Sequence, residues 1–328
     1  MKGVGGEPPE PALFVTGFPR SGTTLLAELL SRHSRLCIPP ETQFMEEFHD
    51  RLPGSIDPAS SSGRRRIQFL VTRTRARDLG VRSEELLAAL PDERRILPST
   101  LLATLLDLYR RRQGKPLVGE KSPVHQCYLP ELVRWYPRAR FVLVVRDGRD
   151  NLDSLDKVSW WTKNRFWTAC EITHRDRLAR RVLRKYPVRG LVVRFEDLLT
   201  DPRGTLQGVM MFLGLRFEET QLTPVDSTIV PDWEQAWKGK VNSALDPDRA
   251  FAWRRDPAPD VAVVTCLMAP ALRSHRYPLE ARPGLGRRLI LGLLTLPITY
   301  GAFWRLRSAL RRYYYRARTG RELARTSE

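Results

Sequence analysis

Two short stretches carry residue types suited to gripping anions. The first is Gly17-Phe18-Pro19-Arg20-Ser21-Gly22-Thr23-Thr24. Two glycines five apart let the backbone turn tightly and aim its N–H groups inward. A guanidinium within the loop, Arg20, can clamp two oxygens of a phosphate or sulfate in a fork. Ser21, Thr23 and Thr24 add hydroxyl donors. Thr23 stands where the lysine of a GxxxxGK[ST] phosphate loop belongs, so the γ-phosphate contact is missing. An anion site is expected, though not one built for Mg-ATP hydrolysis. The bland alternative, a plain glycine-containing turn, leaves the arginine and three hydroxyls unexplained. The second stretch is Arg146-Asp147-Gly148-Arg149-Asp150, with Ser154 eight residues after Arg146. Arg146 and Ser154 are expected to converge on a second phosphate. Asp147 and Asp150 read as surface acids; a surface pair between one of them and Arg146 is the alternative.

Both stretches need elements to hold them. Ala12 to Thr16 is a short apolar, partly β-branched run that reads as a buried strand, and the sequence from Thr23 repeats apolar residues at helical spacing. The first loop therefore joins a strand to a helix whose positive N-terminal end faces the anion. Phe141 to Val145 is the strongest strand signal in the chain, five apolar residues of which three are valine, as expected of a parallel strand covered on both faces. Arg146 stands at its carboxyl end, where open α/β sheets bind ligands. Leu117 to Gly119 and Leu191 to Phe195 are further strands; 129–136, 149–156 and 203–213 are helices. Strands alternating with helices predict an α/β fold, a P-loop-type open parallel sheet flanked by helices. Residues 44–115 read as a helical insertion rich in Leu and Arg. Within it, Ser-Ser-Ser-Gly-Arg-Arg-Arg at 60–66 reads as a solvated loop and the six arginines of 64–77 as a solvated face.

Composition bounds the rest. The 328 residues are 42% apolar and 28% charged, which excludes disorder throughout. Four scattered cysteines (37, 127, 170, 266) without a CxxC pair argue against a disulfide scaffold and a cysteine zinc site, and fit a reducing compartment. The net charge of +18 implies an anionic partner. It is uneven: residues 281–328 hold eleven arginines against two glutamates, half of the surplus. Residues 1–11 form a Gly/Pro-rich lead-in, 12–280 one domain, and 281–328 a basic, apolar tail. The concentration of charge in the tail, and a phosphate loop left unexplained, argue against a nucleic-acid-binding protein.

Together, the Pro-Arg-Ser-Gly-Thr-Thr loop after a strand and the strand ending in Val-Val-Arg-Asp-Gly-Arg-Asp with Ser154 resemble sulfotransferases that use 3′-phosphoadenosine 5′-phosphosulfate (PAPS). The resemblance covers roughly residues 12–255. It implies that Arg20, Ser21, Gly22, Thr23 and Thr24 hold the 5′-phosphosulfate and that Arg146 and Ser154 hold the 3′-phosphate. Glu41, in Pro40-Glu41-Thr42, resembles the region carrying the catalytic glutamate in the tyrosylprotein sulfotransferase-like branch. Glu120-Lys121-Ser122-Pro123 resembles the segment whose lysine approaches the transferring group. Trp237 to Asn242, with Lys238 and Lys240 and Trp253 beyond, resembles the loop that closes over PAPS. Phe195-Glu196-Asp197-Leu198 is similar to a Tyr-Glu-Asp-Leu segment, with the tyrosine hydroxyl lost.

The function implied is in-line transfer of a sulfuryl group from PAPS to an acceptor hydroxyl. Arg20, Lys121 and the loop amides neutralise developing charge, so no metal is required, and Glu41 acts as general base. His125, four residues after Lys121, is the rival base. The alternative function is a P-loop kinase or other nucleotide-dependent phosphotransferase, against which Thr23 and the surface reading of Asp147 and Asp150 both count. The acceptor stays open between carbohydrate, lipid, small molecule and tyrosine. Trp160, Trp161 and Trp167 read as packing, or as the wall of an acceptor or adenine cleft. In the tail, Leu289 to Trp304 is a 16-residue apolar run broken by Pro297 and flanked by arginines. That is short for a span and fits an interfacial anchor on an anionic membrane surface; a core helix or a dimer contact is the alternative. With no secretory leader visible, the expected location is cytoplasmic, peripheral on the membrane.

Overall fold

The computed structural model describes residues 7–162, 164–223, 230–231 and 245–280, and in the tail 306, 309–310, 313–314 and 316–319. Lys238, Lys240 and the run 289–304 lie outside the described residues.

Five parallel strands make one open sheet: β1 (Leu13–Gly17), β2 (Leu36–Cys37), β3 (Leu117–Lys121), β4 (Arg140–Val145) and β5 (Gly190–Arg194), in the order β2-β3-β1-β4-β5. The chain leaves β1 for one edge, returns through β3, then crosses to β4 and β5 on the other side. The carboxyl end of β1 therefore lies between those of β3 and β4, where the winding reverses and a crevice opens.

Strand alternation distributes the core. Phe14, Phe141, Leu143 and Val145 face one side, with Phe14 stacked on Phe141 at 5.4 Å. They pack with helices α2 (Ser61–Arg73), α3 (Ser83–Ala89) and α4 (Pro98–Arg112), which fill the stretch between β2 and β3, and with α5 (Leu129–Trp135). Leu13, Val15, Val142, Val144 and Val193 face the other side. Against them pack α1 (Thr23–Ser31), α8 (Phe195–Thr200) and α9 (Pro202–Leu213). A third apolar cluster joins α6 (Gly148–Asp156), the long α7 (Arg165–Lys185) and α10 (Val261–Ser274) at the carboxyl end of β4.

Two local expectations change. The stretch 60–66 is not a loop: α2 begins at Ser61, because the Ser60 hydroxyl caps it by accepting from the Gly63 amide at 2.9 Å. Serines that look like turn chemistry are here an N-cap. Phe195 is not the end of β5 but the first residue of α8, turned inward and fully buried.

Candidate active site

The loop after β1 is shaped by close approaches. A side chain at Gly17 would put its Cβ 2.3 Å from the Val144 carbonyl oxygen, so only glycine lets β1 and β4 end side by side. Arg20 and Gly22 both have left-handed backbones, with φ of 69° and 93°. At Gly22 a Cβ would fall 2.2 Å from the Phe195 ring. The loop is thus pressed onto that ring. Asn151, from α6, ties it from the other side: its amide donates to the Pro19 carbonyl at 2.8 Å and to the Ser21 hydroxyl at 3.2 Å. Ser21, Thr23 and Thr24 are buried. No side chain caps the first turn of α1, so its positive end is left for an anion.

The two anion stretches meet. Arg20 Nε donates to Ser154 Oγ at 3.1 Å, and Arg146 Nη1 donates to the Arg20 carbonyl at 3.2 Å. Arg146 also donates from Nη2 to the Arg249 carbonyl at 3.2 Å. The guanidinium carbons of Arg146 and Arg249 lie 4.6 and 5.4 Å from the centre of the Phe195 ring, a cation–π arrangement. Three guanidiniums are therefore crowded at one spot. Burial, then Arg146 and Arg249, lower the Arg20 pKa, with Glu41 opposing. Burial and Arg146 lower that of Arg249. Arg146 Nε is buried without a hydrogen-bond partner among the described residues. Arg249 escaped the sequence reading: it sits in an ordinary Asp-Pro-Asp-Arg turn, and only tertiary contact singles it out.

Asp147 and Asp150 are not surface acids; both are almost wholly buried. Asp147 caps α6 and holds Arg149 through bonds of 2.8 and 2.6 Å. Arg149 in turn lies 3.8 Å from the Trp253 ring centre. Asp150 accepts the Trp253 amide at 2.8 Å and stands 3.9 Å from Arg146. Burial pushes its pKa up to about 6, against the pull of Arg146. These acids are internal struts, so the case against a magnesium site no longer rests on their exposure; it rests on Thr23.

On the other flank, β3 delivers Lys121, which is 1% exposed. Its Nζ lies 2.6 Å from Glu41 Oε1 and 3.3 Å from the Thr24 hydroxyl. Glu41, 6% exposed, also receives Gln43 Nε2 at 3.2 Å and faces Arg75 Nη1 at 3.6 Å, both on Oε2. The loop, Lys121 and Glu41 thus form one continuous cluster of an anion cradle, an ammonium and a carboxylate. His125 stands outside it, fully buried, with Nδ1 2.7 Å from Glu120 and Nε2 facing the Met45 amide. Trp161 packs edge-on against Phe18 of the loop, while Trp160 and Trp167 are exposed.

Fold and site together define an open α/β protein with a cationic cradle at its switch point and a carboxylate–ammonium pair beside it. The model of the sulfotransferase family matches residues 11–219, and the chain belongs to that family. Chicken protein-tyrosine sulfotransferase 2 is 26% identical over 230 residues, covering 65% of this chain and 53% of that protein. Mouse protein-tyrosine sulfotransferase 1 is 30% identical over 146 residues, covering 44% and 34%. The chain thus spans about half of the first relative and a third of the second. The omega-hydroxy-beta-dihydromenaquinone-9 sulfotransferase Stf3 of Mycobacterium bovis is 26% identical, covering 63% of each. Among solved structures, the sulfotransferase domain of the Synechococcus PCC 7002 olefin synthase superposes with a TM-score of 0.60 at 23% identity, over 83% of this chain and 97% of that one. The sulfotransferase domain of the curacin biosynthetic pathway gives 0.59 at 19%, over 84% and 100%. These two share the fold.

Proposed function

We propose that the protein transfers a sulfuryl group from PAPS to an acceptor hydroxyl. The crowding of Arg20, Arg146 and Arg249 carries this reading. Three like charges, one with an unpartnered buried Nε, are costly to hold together unless a multiply charged anion completes the set. A donor with a phosphosulfate at one end and a phosphate at the other is such an anion. When bound, PAPS supplies the activated sulfuryl group. Arg20, the amides of Ser21 to Thr24 and the loop hydroxyls hold its phosphosulfate end; Arg146, Ser154 and Arg249 hold the other phosphate. The resemblance adds Lys238 and Lys240, outside the described residues, to the donor contacts. Glu41 takes the acceptor proton, and Lys121 and Arg20 offset charge developing on the oxygens. The chemistry asks no metal of these residues. Residues 12–280 form the transfer domain and 281–328 a separate tail.

The acceptor class is open between the two kinds that the relatives' names describe. A tyrosine enzyme and a menaquinone enzyme are both 26% identical to this chain. The tail favours an acceptor at an anionic membrane surface. Leu306, Leu310, Tyr313 and Tyr314 are 56 to 75% exposed and fall on one helical face, whereas Thr319, near the opposite face, is buried. Arg316 donates to the Asp50 carbonyl at 2.7 Å and so moors the tail beside the turn Met45–His49. Among the described residues no helix is long and apolar enough to cross a membrane. Removing 281–328 should abolish co-flotation with anionic vesicles; undiminished flotation rejects the surface role.

The deciding test is calorimetric titration with 3′,5′-adenosine bisphosphate beside Mg-ATP. Metal-independent bisphosphate binding, lost in Arg20→Ala and Arg146→Ala, is the expected result. Magnesium-dependent ATP binding without bisphosphate binding overturns the proposal in favour of a phosphotransferase.

A further inference from the structure

The pair of Glu120 and His125 lies behind the site, and neither touches the anion cradle. Glu120 precedes Lys121 in β3, and strand alternation sends the two side chains to opposite faces. Lys121 meets Glu41; Glu120 goes inward and is fully buried. One carboxylate oxygen accepts from the Thr42 hydroxyl at 2.9 Å and the Ser122 hydroxyl at 2.6 Å. The other lies 2.7 Å from His125 Nδ1. These three partners in turn receive the backbone of the segment that follows Glu41. The Gln43 amide donates to Ser122 Oγ at 3.0 Å, the Phe44 amide to Thr42 Oγ1 at 3.2 Å, and the Met45 amide points at His125 Nε2 at 3.5 Å. The His125 ring thus lies between Glu120 at one nitrogen and the Met45 amide at the other.

Phe44 and Met45 anchor segment 42–45 in the core, but apolar packing alone does not set the path of its amides. The segment follows a two-residue strand and runs into a single π-helical turn, Met45–His49. Gln43 is left-handed, with φ of 44°, a conformation that side chains disfavour. That turn brings Gln43 Nε2 back onto Glu41.

We infer that Glu120 and His125 form a positioning strut, which through Thr42 and Ser122 locks the turn at Gln43 and so sets the Glu41 carboxylate against Lys121. An apolar pair would fill the same space but could not hold three consecutive amides. Burial pushes the Glu120 carboxyl up, yet the charge of His125 and the bonds from His125, Ser122 and Thr42 outweigh it and leave it below its usual value. His125 thereby acquires a role at the base without being the base. The inference rests on the proposed role of Glu41, but it can be tested without an acceptor.

Glu120→Gln is the direct variant. Because a buried replacement can impair folding, Thr42→Val cuts one link at nearly constant shape, and Thr42→Ser restores it. Three quantities are read: amide exchange of Gln43 to Met45, the pH titration of the Glu41 carboxyl carbon by NMR (its signal assigned by loss in Glu41→Gln), and affinity for 3′,5′-adenosine bisphosphate. In Thr42→Val, exchange at 43–45 should quicken by about tenfold and the Glu41 midpoint should move. Bisphosphate affinity should stay within about twofold, and Thr42→Ser should return all three to the parent values. Unchanged exchange and an unchanged Glu41 titration in Thr42→Val overturn the strut, as does an affinity that falls alongside them, since that marks general loosening. Failure of the parent protein to bind the bisphosphate rejects the sulfotransferase reading while leaving the exchange and titration results to decide the strut.

Discussion

The anion cradle and the Glu41 flank of the site are built differently. The anion cradle grows out of β1 and β4, two neighbouring buried strands paired along their length, and it is clamped by Asn151 beneath and Phe195 behind. Glu41 follows β2, two residues long, at the sheet edge. Its carboxylate is held by side chains: Lys121, Gln43, Arg75 and, at one remove, Thr42 and Glu120. The cradle proposed for the donor is thus a scaffold of paired strands, and the proposed base is aimed by hydrogen bonds.

The contrast can be broken from either side. The largest effect belongs to the base. Glu41→Gln should lower sulfuryl transfer by roughly 10²- to 10⁴-fold, with bisphosphate affinity nearly unchanged; parallel losses would place Glu41 in the donor site instead. Arg146→Ala should do the reverse, weakening the bisphosphate about a hundredfold or more by calorimetry, since charge-assisted bonds to phosphate are worth about 1.5–3 kcal/mol each.

Asp150 tests the scaffold by pH. Its pKa is about 6 in the folded chain against 3.8 as a reference. The native state therefore binds more protons than the unfolded state between those values, and stability falls as pH rises from about 4 to 6. The loss reaches about 2–3 kcal/mol. Asp150→Asn keeps an acceptor for the Trp253 amide and should flatten this part of the denaturant-midpoint curve; a slope equal to the parent's would assign it to other groups. The smallest effect is expected at Arg249. Replacement by Ala should weaken the bisphosphate about tenfold and slightly relieve the crowding around Arg20. An unchanged affinity would remove Arg249 from the donor site.

What sequence alone disclosed follows the same division. The strands flanking the cradle announce themselves as unbroken apolar runs, and the glycines at 17 and 22 mark a turn that no other residue could make. Local pattern and tertiary role coincide there. They part where a residue's meaning depends on what lies across the fold. Ser60 to Gly63 look like loop until Ser60 is seen capping α2. Asp147 and Asp150, beside two arginines, look solvated until α10 and the Trp253 turn cover them. Arg249 has no local distinction in an arginine-rich chain. His125 attracts attention by its closeness to Lys121, yet only the fold shows that the turn after β3 sets it against Glu120 and not beside Glu41.

Phe195 gives the donor end a property its arginines do not disclose singly. One aromatic ring is both the floor against which Gly22 is pressed and the surface on which Arg146 and Arg249 rest. The two pockets proposed for the donor's ends therefore share a wall. A ligand that settles one end steadies the ring for the other, so the two half-sites bind as partners rather than as independent sites. Adding the second phosphate to an adenosine monophosphate should then gain more binding free energy than adding the same phosphate to adenosine, and this excess should shrink once the ring is replaced by leucine.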